Sequence, residues 1–350
     1  MKILVTGGAG FIGSHVAEYY ARQGHPVTVY DNLSRAQLLK KQDTNATFNW
    51  DYLARFPNVQ RVQADVADFD RVAPYCREAD VIFHIAGQTA VTTSVTDPRP
   101  DFATNAVGSF NVLEAIRDAA TPKTVVYTST NKVYGDNVNA YDLQAQETRY
   151  AFSGAHAHGV AETCPIDHCK HTPYGCSKLA ADLYMQDWQR LYGHRVGVFR
   201  MSCIYGTRQF GFEDQGWLAW FTIAALTGQP VTIFGDGRQM RDILYVEDLV
   251  RLFDAFVQSK SPGGVFNTGG GPRHTLSLLE LVKMIEQRVG SRLTIGYDDW
   301  RPSDQKAYVS DIRKAQAEFG WQPKIGVAEG VDRLVEWVRA NTALWQRPAR

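Results

Sequence analysis

Lys2-Ile3-Leu4-Val5-Thr6-Gly7-Gly8-Ala9-Gly10-Phe11-Ile12-Gly13 opens with a short apolar run, breaks at glycines and passes into a helical pattern, Phe11 to Arg22. Gly7, Gly10 and Gly13 fall at three-residue steps. Glycine suits such a tight turn because the backbone can then approach a pyrophosphate, while the following helix presents unpaired N–H donors and its positive dipole end. A strand before, a helix after and Asp31 closing the next apolar run, Val27 to Tyr30, together predict a dinucleotide-binding βαβ unit.

Asp31 can accept hydrogen bonds from ribose hydroxyls and would repel a 2′-phosphate, which favours NAD over NADP; Arg35 pulls slightly the other way. The expected cofactor contacts are Gly7, Gly10, Phe11 and Ile12 in the cradle, then Asp31, Asn32, Ser34 and Arg35. Asp65 and Val66, past the third apolar run, fall where an adenine would lie. Ala86 and Gly87, after the fourth run, and Thr128, in the fifth, extend the set. Asn105 is expected beside the cofactor or as a brace for its helix and the catalytic groups.

Outward from this unit, apolar runs at Val59 to Val62, Val81 to His84, Thr124 to Thr128 and Val196 to Arg200 alternate with helical patterns at Phe102 to Arg117 and Tyr174 to Leu191. That alternation predicts an α/β fold, a doubly wound Rossmann parallel sheet over residues 1–205. Beyond it, shorter strands (Val231 to Phe234, Val265 to Asn267) mixed with helices (Leu276 to Arg288, Val327 to Arg339) predict a smaller C-terminal α+β substrate lobe, 206–345, with some elements returning to the first domain. Between Asp136 and Thr172 the periodicity is weak. A segment of that length without structure of its own is uncommon unless it serves a site, and a lid over the substrate is the expectation.

The chain has 350 residues, with 37 basic and 37 acidic side chains, 44% hydrophobic residues and 21% charged. This globular composition carries no net field to attract nucleic acid or an anionic membrane. No leader or membrane span is legible, and five thinly spread cysteines favour reduced thiols, so a cytoplasmic location is expected. His156, His158, Cys164, His168, Cys169 and His171 match no closed four-ligand spacing, so no metal is expected. Cys176 reads as a small packed residue.

Tyr174-Gly-Cys-Ser-Lys178 places a phenol and an ammonium on one helix face. Lys178, with a cationic nicotinamide, can lower the pKa of Tyr174 enough to remove a hydroxyl proton while hydride leaves the same carbon. Thr128-Ser129-Thr130 ends a central strand, where α/β sheets bind ligands. The cradle, Thr128-Ser-Thr-Asn-Lys-Val-Tyr-Gly135 and Tyr-x-x-x-Lys, in this order, resemble the extended short-chain dehydrogenase/reductase family of nucleotide-sugar epimerases and dehydratases. The resemblance covers nearly all of residues 1–340 and implies Thr130, Tyr174 and Lys178 as the catalytic trio. It also implies Arg241 and Arg301 as clamps on a sugar-nucleotide diphosphate, although Arg301-Pro-Ser-Asp304 has Ser303 where the family usually has Gly.

Dehydratases of that family carry an Asp-Glu pair directly after the catalytic threonine. Here Asn131 and Lys132 stand there, so the resemblance implies a redox-neutral epimerase with retained NAD. Tyr205-Gly-Thr-Arg-Gln-Phe210 and Asp214-Gln-Gly-Trp-Leu-Ala-Trp-Phe221 resemble the branch that inverts C2 of CDP-linked 3,6-dideoxyhexoses; 4-epimerases of UDP-hexoses or UDP-uronates are the alternative. Gln88, Thr89, Thr130, Asn131, Gln215 and Trp217 are the further expected substrate contacts, though Trp217, Trp220 and Phe221 suit a helix core equally. Family members commonly form homodimers or homotetramers through the helices near residues 100–117 and 174–191.

Overall fold

A computed structural model describes residues 1–35, 47–301 and 304–345. Its strands are β1 (Ile3–Thr6), β2 (Val27–Asp31), β3 (Val59–Gln63), β4 (Val81–His84), β5 (Thr124–Thr130), β6 (Leu143–Ala145), β7 (Tyr150–Phe152), β8 (Arg195–Met201), β9 (Cys203–Tyr205), β10 (Val231–Phe234), β11 (Met240–Tyr245), β12 (Gly263–Thr268), β13 (Thr275–Ser277), β14 (Ile295–Asp298) and β15 (Ala307–Tyr308).

Seven strands form one parallel sheet in the order β12-β8-β5-β4-β1-β2-β3. β1, β4 and β5 are buried along their whole length, as strands covered by helices on both faces must be. The chain runs outward from β1 in both directions, so the topological switch point lies between β1 and β4, and such sheets bind ligands beyond the strand ends there. On one face the Phe11–Arg22 and Val246–Gln258 helices pack Val16, Tyr20, Phe253 and Phe256 against Val5, Phe83 and Phe199. On the other, Val112, Ile116, Met185 and Trp188 cover Ile82, Val125 and Val198.

Val265 to Asn267, read from the sequence as part of the smaller lobe, instead lies in β12 and pairs in parallel with β8 at the edge of the large sheet. The remaining strands make a smaller assembly in which β11 pairs with β9, β13 and β15, and β10 with β14. Its core joins Tyr205, Ile223, Tyr245, Leu281 and Leu334. The Leu278–Val289 helix starts at a capping box, Ser277 and Glu280 each bonding the other's backbone N–H.

Asp136 to Thr172 holds the β6–β7 hairpin and short 3-10 turns. It packs on the smaller assembly, with Arg149 bonded to Glu280 and Val160 bridging Ser310. The Phe102 to Arg117 pattern resolves into the Pro98–Phe102 helix, a π-helical turn at Ala103–Val107 and the Gly108–Ile116 helix. Among the described residues no helix is long and apolar enough to cross a membrane.

Candidate active site

One cleft runs over the switch point, and its cofactor end is shaped by backbone. Gly7 has φ +68°, and a Cβ there would lie 2.6 Å from the Ala86 nitrogen. At Gly13 a Cβ would meet the Gly7 carbonyl oxygen at 2.2 Å. Side chains are thus excluded where a pyrophosphate needs close approach. Thr6 Oγ1 ties β1 to β4, accepting from the N–H groups of Ile85 and Ala86 and bonding His84 Nδ1 at 2.8 Å. His84 Nε2 reaches Ser109 Oγ, whose proton goes to the Asn105 carbonyl. Only one tautomer satisfies that chain, with Nδ1 accepting and Nε2–H donating. Burial, then Lys178, pushes the imidazole down to about 3, so it stays neutral.

Gly7, Gly10, Phe11, Ile12, Asp31, Asn32, Ser34 and Arg35 all line the cleft, as do Val66, Ala86, Gly87 and Thr128. Asp31 accepts from the N–H groups of Ala9 and Leu33, at 3.0 and 2.8 Å. These hold it at the end of β2, where a ribose edge would reach it; burial pushes its carboxyl upward. Arg35 donates to the Phe210 carbonyl and stands over Phe212. Asp65 does not line the cleft; it accepts from Asn32 at 2.8 Å and so positions that residue. The glycine cradle and the Asp31 carboxylate together fit a dinucleotide.

Asn105 is completely buried and is not among the residues that line the cleft. The π-helical turn carries its amide inward. There Oδ1 accepts the Gln88 N–H at 2.9 Å, and Nδ2 reaches the Gln88 carbonyl at 3.1 Å and Ser177 Oγ at 3.0 Å. It therefore braces the β4 loop against the helix that carries Tyr174.

That helix, Pro173–Tyr192, starts cleanly because Thr172 caps it, accepting the Gly175 N–H, and Pro173 occupies its first turn. Tyr174 and Lys178 both enter the cleft from it. Tyr174 is 8% exposed, and burial pushes its phenol up to about 12 against a lowering hydrogen bond with Thr130. Lys178 is pushed down to about 7 by burial, with Asp182 and Asp101 opposing, and its Nζ stands 4.3 Å from the centre of the Tyr127 ring. Under the trio, Asp182 binds Arg200 through both oxygens at 2.9 and 3.0 Å and takes the Ser129 hydroxyl at 2.6 Å.

The expected substrate contacts divide. Gln88, Thr89 and Gln215 line the cleft, and Gln215 bonds directly to Thr89. Thr130, Asn131, Trp217, Arg241 and Arg301 do not line it. Asn131 donates to Gln305 at 3.0 Å, and the Trp217 indole N–H points to Cys203 Sγ at 3.4 Å. Arg241 is held by Asp304 and Arg301 by Asp214, each at 2.9 Å; Pro302 and Ser303 lie outside the described residues.

No described cleft-lining residue comes from Asp136 to Thr172. No group of three or more metal-binding side chains meets there or elsewhere among the described residues. All five cysteines are unpaired, and Cys176 is exposed rather than packed.

Sequence reading missed Arg208 and Asn49, which also line the cleft. Arg208 takes a left-handed φ of +59° and pairs with Glu18 at 2.7 Å while covering the Tyr52 ring. Its only signal was membership of Tyr205-Gly-Thr-Arg-Gln-Phe210.

Residues 3–269 match the model of the NAD dependent epimerase/dehydratase family. The chain is 40% identical over 346 residues to a CDP-paratose 2-epimerase of Salmonella typhi, covering 96% of this chain and 99% of that one. It is 32% identical to a UDP-glucose 4-epimerase of Mycolicibacterium smegmatis, over 97% and 99% of the two chains. Among solved structures, a UDP-glucuronic acid 4-epimerase from Bacillus cereus, in complex with UDP-glucuronic acid and NAD, superposes with TM-score 0.80 at 26% identity, over 97% and 100% of the chains. The backbone cradle, the carboxylate at the end of β2 and this full-length likeness agree, and the chain belongs to the NAD dependent epimerase/dehydratase family, with NAD as its cofactor.

Proposed function

We propose that the chain inverts C2 of a CDP-linked 3,6-dideoxyhexose, passing through a 2-keto sugar, with Thr130, Tyr174 and Lys178 as its catalytic residues. The observation that carries the chemistry is the meeting of a buried phenol, its threonine hydrogen-bond partner and a buried lysine over the dinucleotide cradle. The choice of C2 and CDP is supported by the 40% identity to the Salmonella 2-epimerase.

NAD, when bound, supplies the acceptor and later the donor of the hydride. Thr130 holds the sugar hydroxyl against Tyr174. The phenol, near 12 in the protein alone, becomes a base only where positive charge gathers beside it, and Lys178 is the chain's own source of that charge. Tyr174 takes the hydroxyl proton as the C–H bond breaks and returns it after the ketone has turned its other face. Asn131 and Lys132 offer no carboxyl pair for eliminating water, which favours epimerisation over dehydration.

The likeness to 4-epimerases of UDP sugars favours inversion at C4 as the second reading. Purified protein without added cofactor, incubated with CDP- and UDP-linked hexoses including CDP-paratose, separates the two by proton NMR of the product. Inversion at C2 of CDP sugars supports the proposal; inversion at C4 of UDP sugars retains the trio and overturns the substrate.

Val107, Phe110, Leu183, Tyr184 and Leu191 are exposed on the Pro98–Ile116 and Pro173–Tyr192 segments, and we propose that a second copy covers them in a homodimer. Light scattering reads the mass; a monomer overturns this. Unpaired thiols fit a reducing, cytoplasmic setting.

A further inference from the structure

Lys132, which stands where a dehydratase carries an acid, has no part in the mechanism above. Its backbone N–H donates to Thr130 Oγ1 at 3.2 Å, which fixes it beside that hydroxyl. Its Nζ lies 3.9 Å from Asp304 Oδ1, the same oxygen that holds Arg241 Nη2 at 2.9 Å. Two cations thus share one carboxylate oxygen in a half-buried place, the three side chains being 24%, 13% and 21% exposed. Asp214 adds no compensation, because it already balances Arg301. A partly desolvated excess of one positive charge is unfavourable until an anion completes it. Burial accordingly pushes the Lys132 ammonium below its ordinary value.

We propose that Lys132 is a substrate-binding residue whose ammonium exchanges Asp304 for the diphosphate oxygen next to the sugar, forming with Arg241 a two-cation anion site. The inference rests on the sugar-nucleotide reading. Lys132 is tied to Thr130, which the mechanism places at the sugar, so the phosphate within its reach is the sugar-side one. A lysine suits the task because it acts as a mobile point charge, whereas Arg241 supplies the fixed planar fork.

Calorimetric titration of the NAD-loaded protein with CDP, UDP and CMP tests this. Lys132→Met is expected to weaken CDP binding about tenfold, the loss of one charge-assisted bond, and to leave CMP, which lacks the second phosphate, within about twofold. Lys132→Arg keeps CDP within about threefold. Unchanged CDP affinity in Lys132→Met, with bound NAD intact, overturns the inference, as does an equal loss for CMP and CDP. Should the Met variant shed its NAD, Lys132→Gln carries the same readout. A wild-type protein that binds neither CDP nor UDP overturns the sugar-nucleotide reading itself, and the inference with it.

Discussion

At the cofactor end of the cleft the walls are largely backbone, with Gly7 and Gly13 closing on Ala86 and on each other, and strand ends set by a parallel sheet. Where the sugar is proposed to bind, the gathered groups are charged side chains from separate segments, Lys132, Asp214, Arg241, Arg301 and Asp304, already joined in ion pairs. The first kind of site is fixed by steric exclusion. The second is balanced by charge, so an anionic ligand competes with carboxylates of the protein itself.

Tyr174→Phe separates the two ends most sharply. Removing one acid–base group is expected to lower turnover about 10³-fold while NAD absorbance stays with the purified protein; loss of NAD as well would show that the ends are not independent. Gly13→Val gives the converse, loss of NAD, because its Cβ would sit 2.2 Å from the Gly7 oxygen. Next, Asp182→Asn attacks the buried ion pair beneath the trio. It leaves Arg200, 4% exposed, without its charged partner, and is expected to lower unfolding free energy in denaturant titration by about 3 to 5 kcal/mol.

A smaller effect tests the charge-balanced end alone. Arg241→Met is expected to raise KM about tenfold with kcat little changed, the loss of one charged contact made equally in ground and transition states. Arg301→Met, at a more exposed guanidinium, is expected to raise it about threefold. Equal effects would remove the distinction between the clamps. A pH-dependent effect belongs to His84 at the cofactor end. Its folded value near 3 lies below the unfolded 6.5, so the unfolded chain binds a proton that the native state refuses. The stability this provides is present above pH 6.5 and is lost as pH falls toward 3. Between pH 7 and 5.5 that one group removes about 1.2 kcal/mol; thermal melts of His84→Gln should fall less over this interval.

The backbone-built end was legible in sequence because its requirements are local. Glycine steps, an acidic residue closing the next strand and Tyr-x-x-x-Lys each state their geometry within a few residues. Val265 to Asn267 was misassigned because its pairing partner, β8, lies more than sixty residues earlier, and the apolar run carries no mark of which sheet it joins. The π-helical turn that turns Asn105 inward is concealed by regular apolar spacing across Phe102, Ala106 and Phe110. Arg208 was missed because a left-handed arginine has no local signature. The Arg241–Asp304 and Arg301–Asp214 pairings were invisible for the same reason as β12, since charge partners are chosen by the fold rather than by spacing.

The π-helical turn at Ala103–Val107 has an implication for how this protein can change by insertion and deletion. A π turn carries one residue more than an α-helix would use over the same rise. Deleting a single residue there would let the segment wind as an uninterrupted α-helix, removing an irregularity. It would also swing the Asn105 amide about 100° around the helix axis, from the 3.6-residue period, away from Gln88 and Ser177. The shortened chain would gain a smoother helix and lose the brace between the cradle loop and the Tyr174 helix. At this turn, local regularity and a working enzyme pull the chain length in opposite directions.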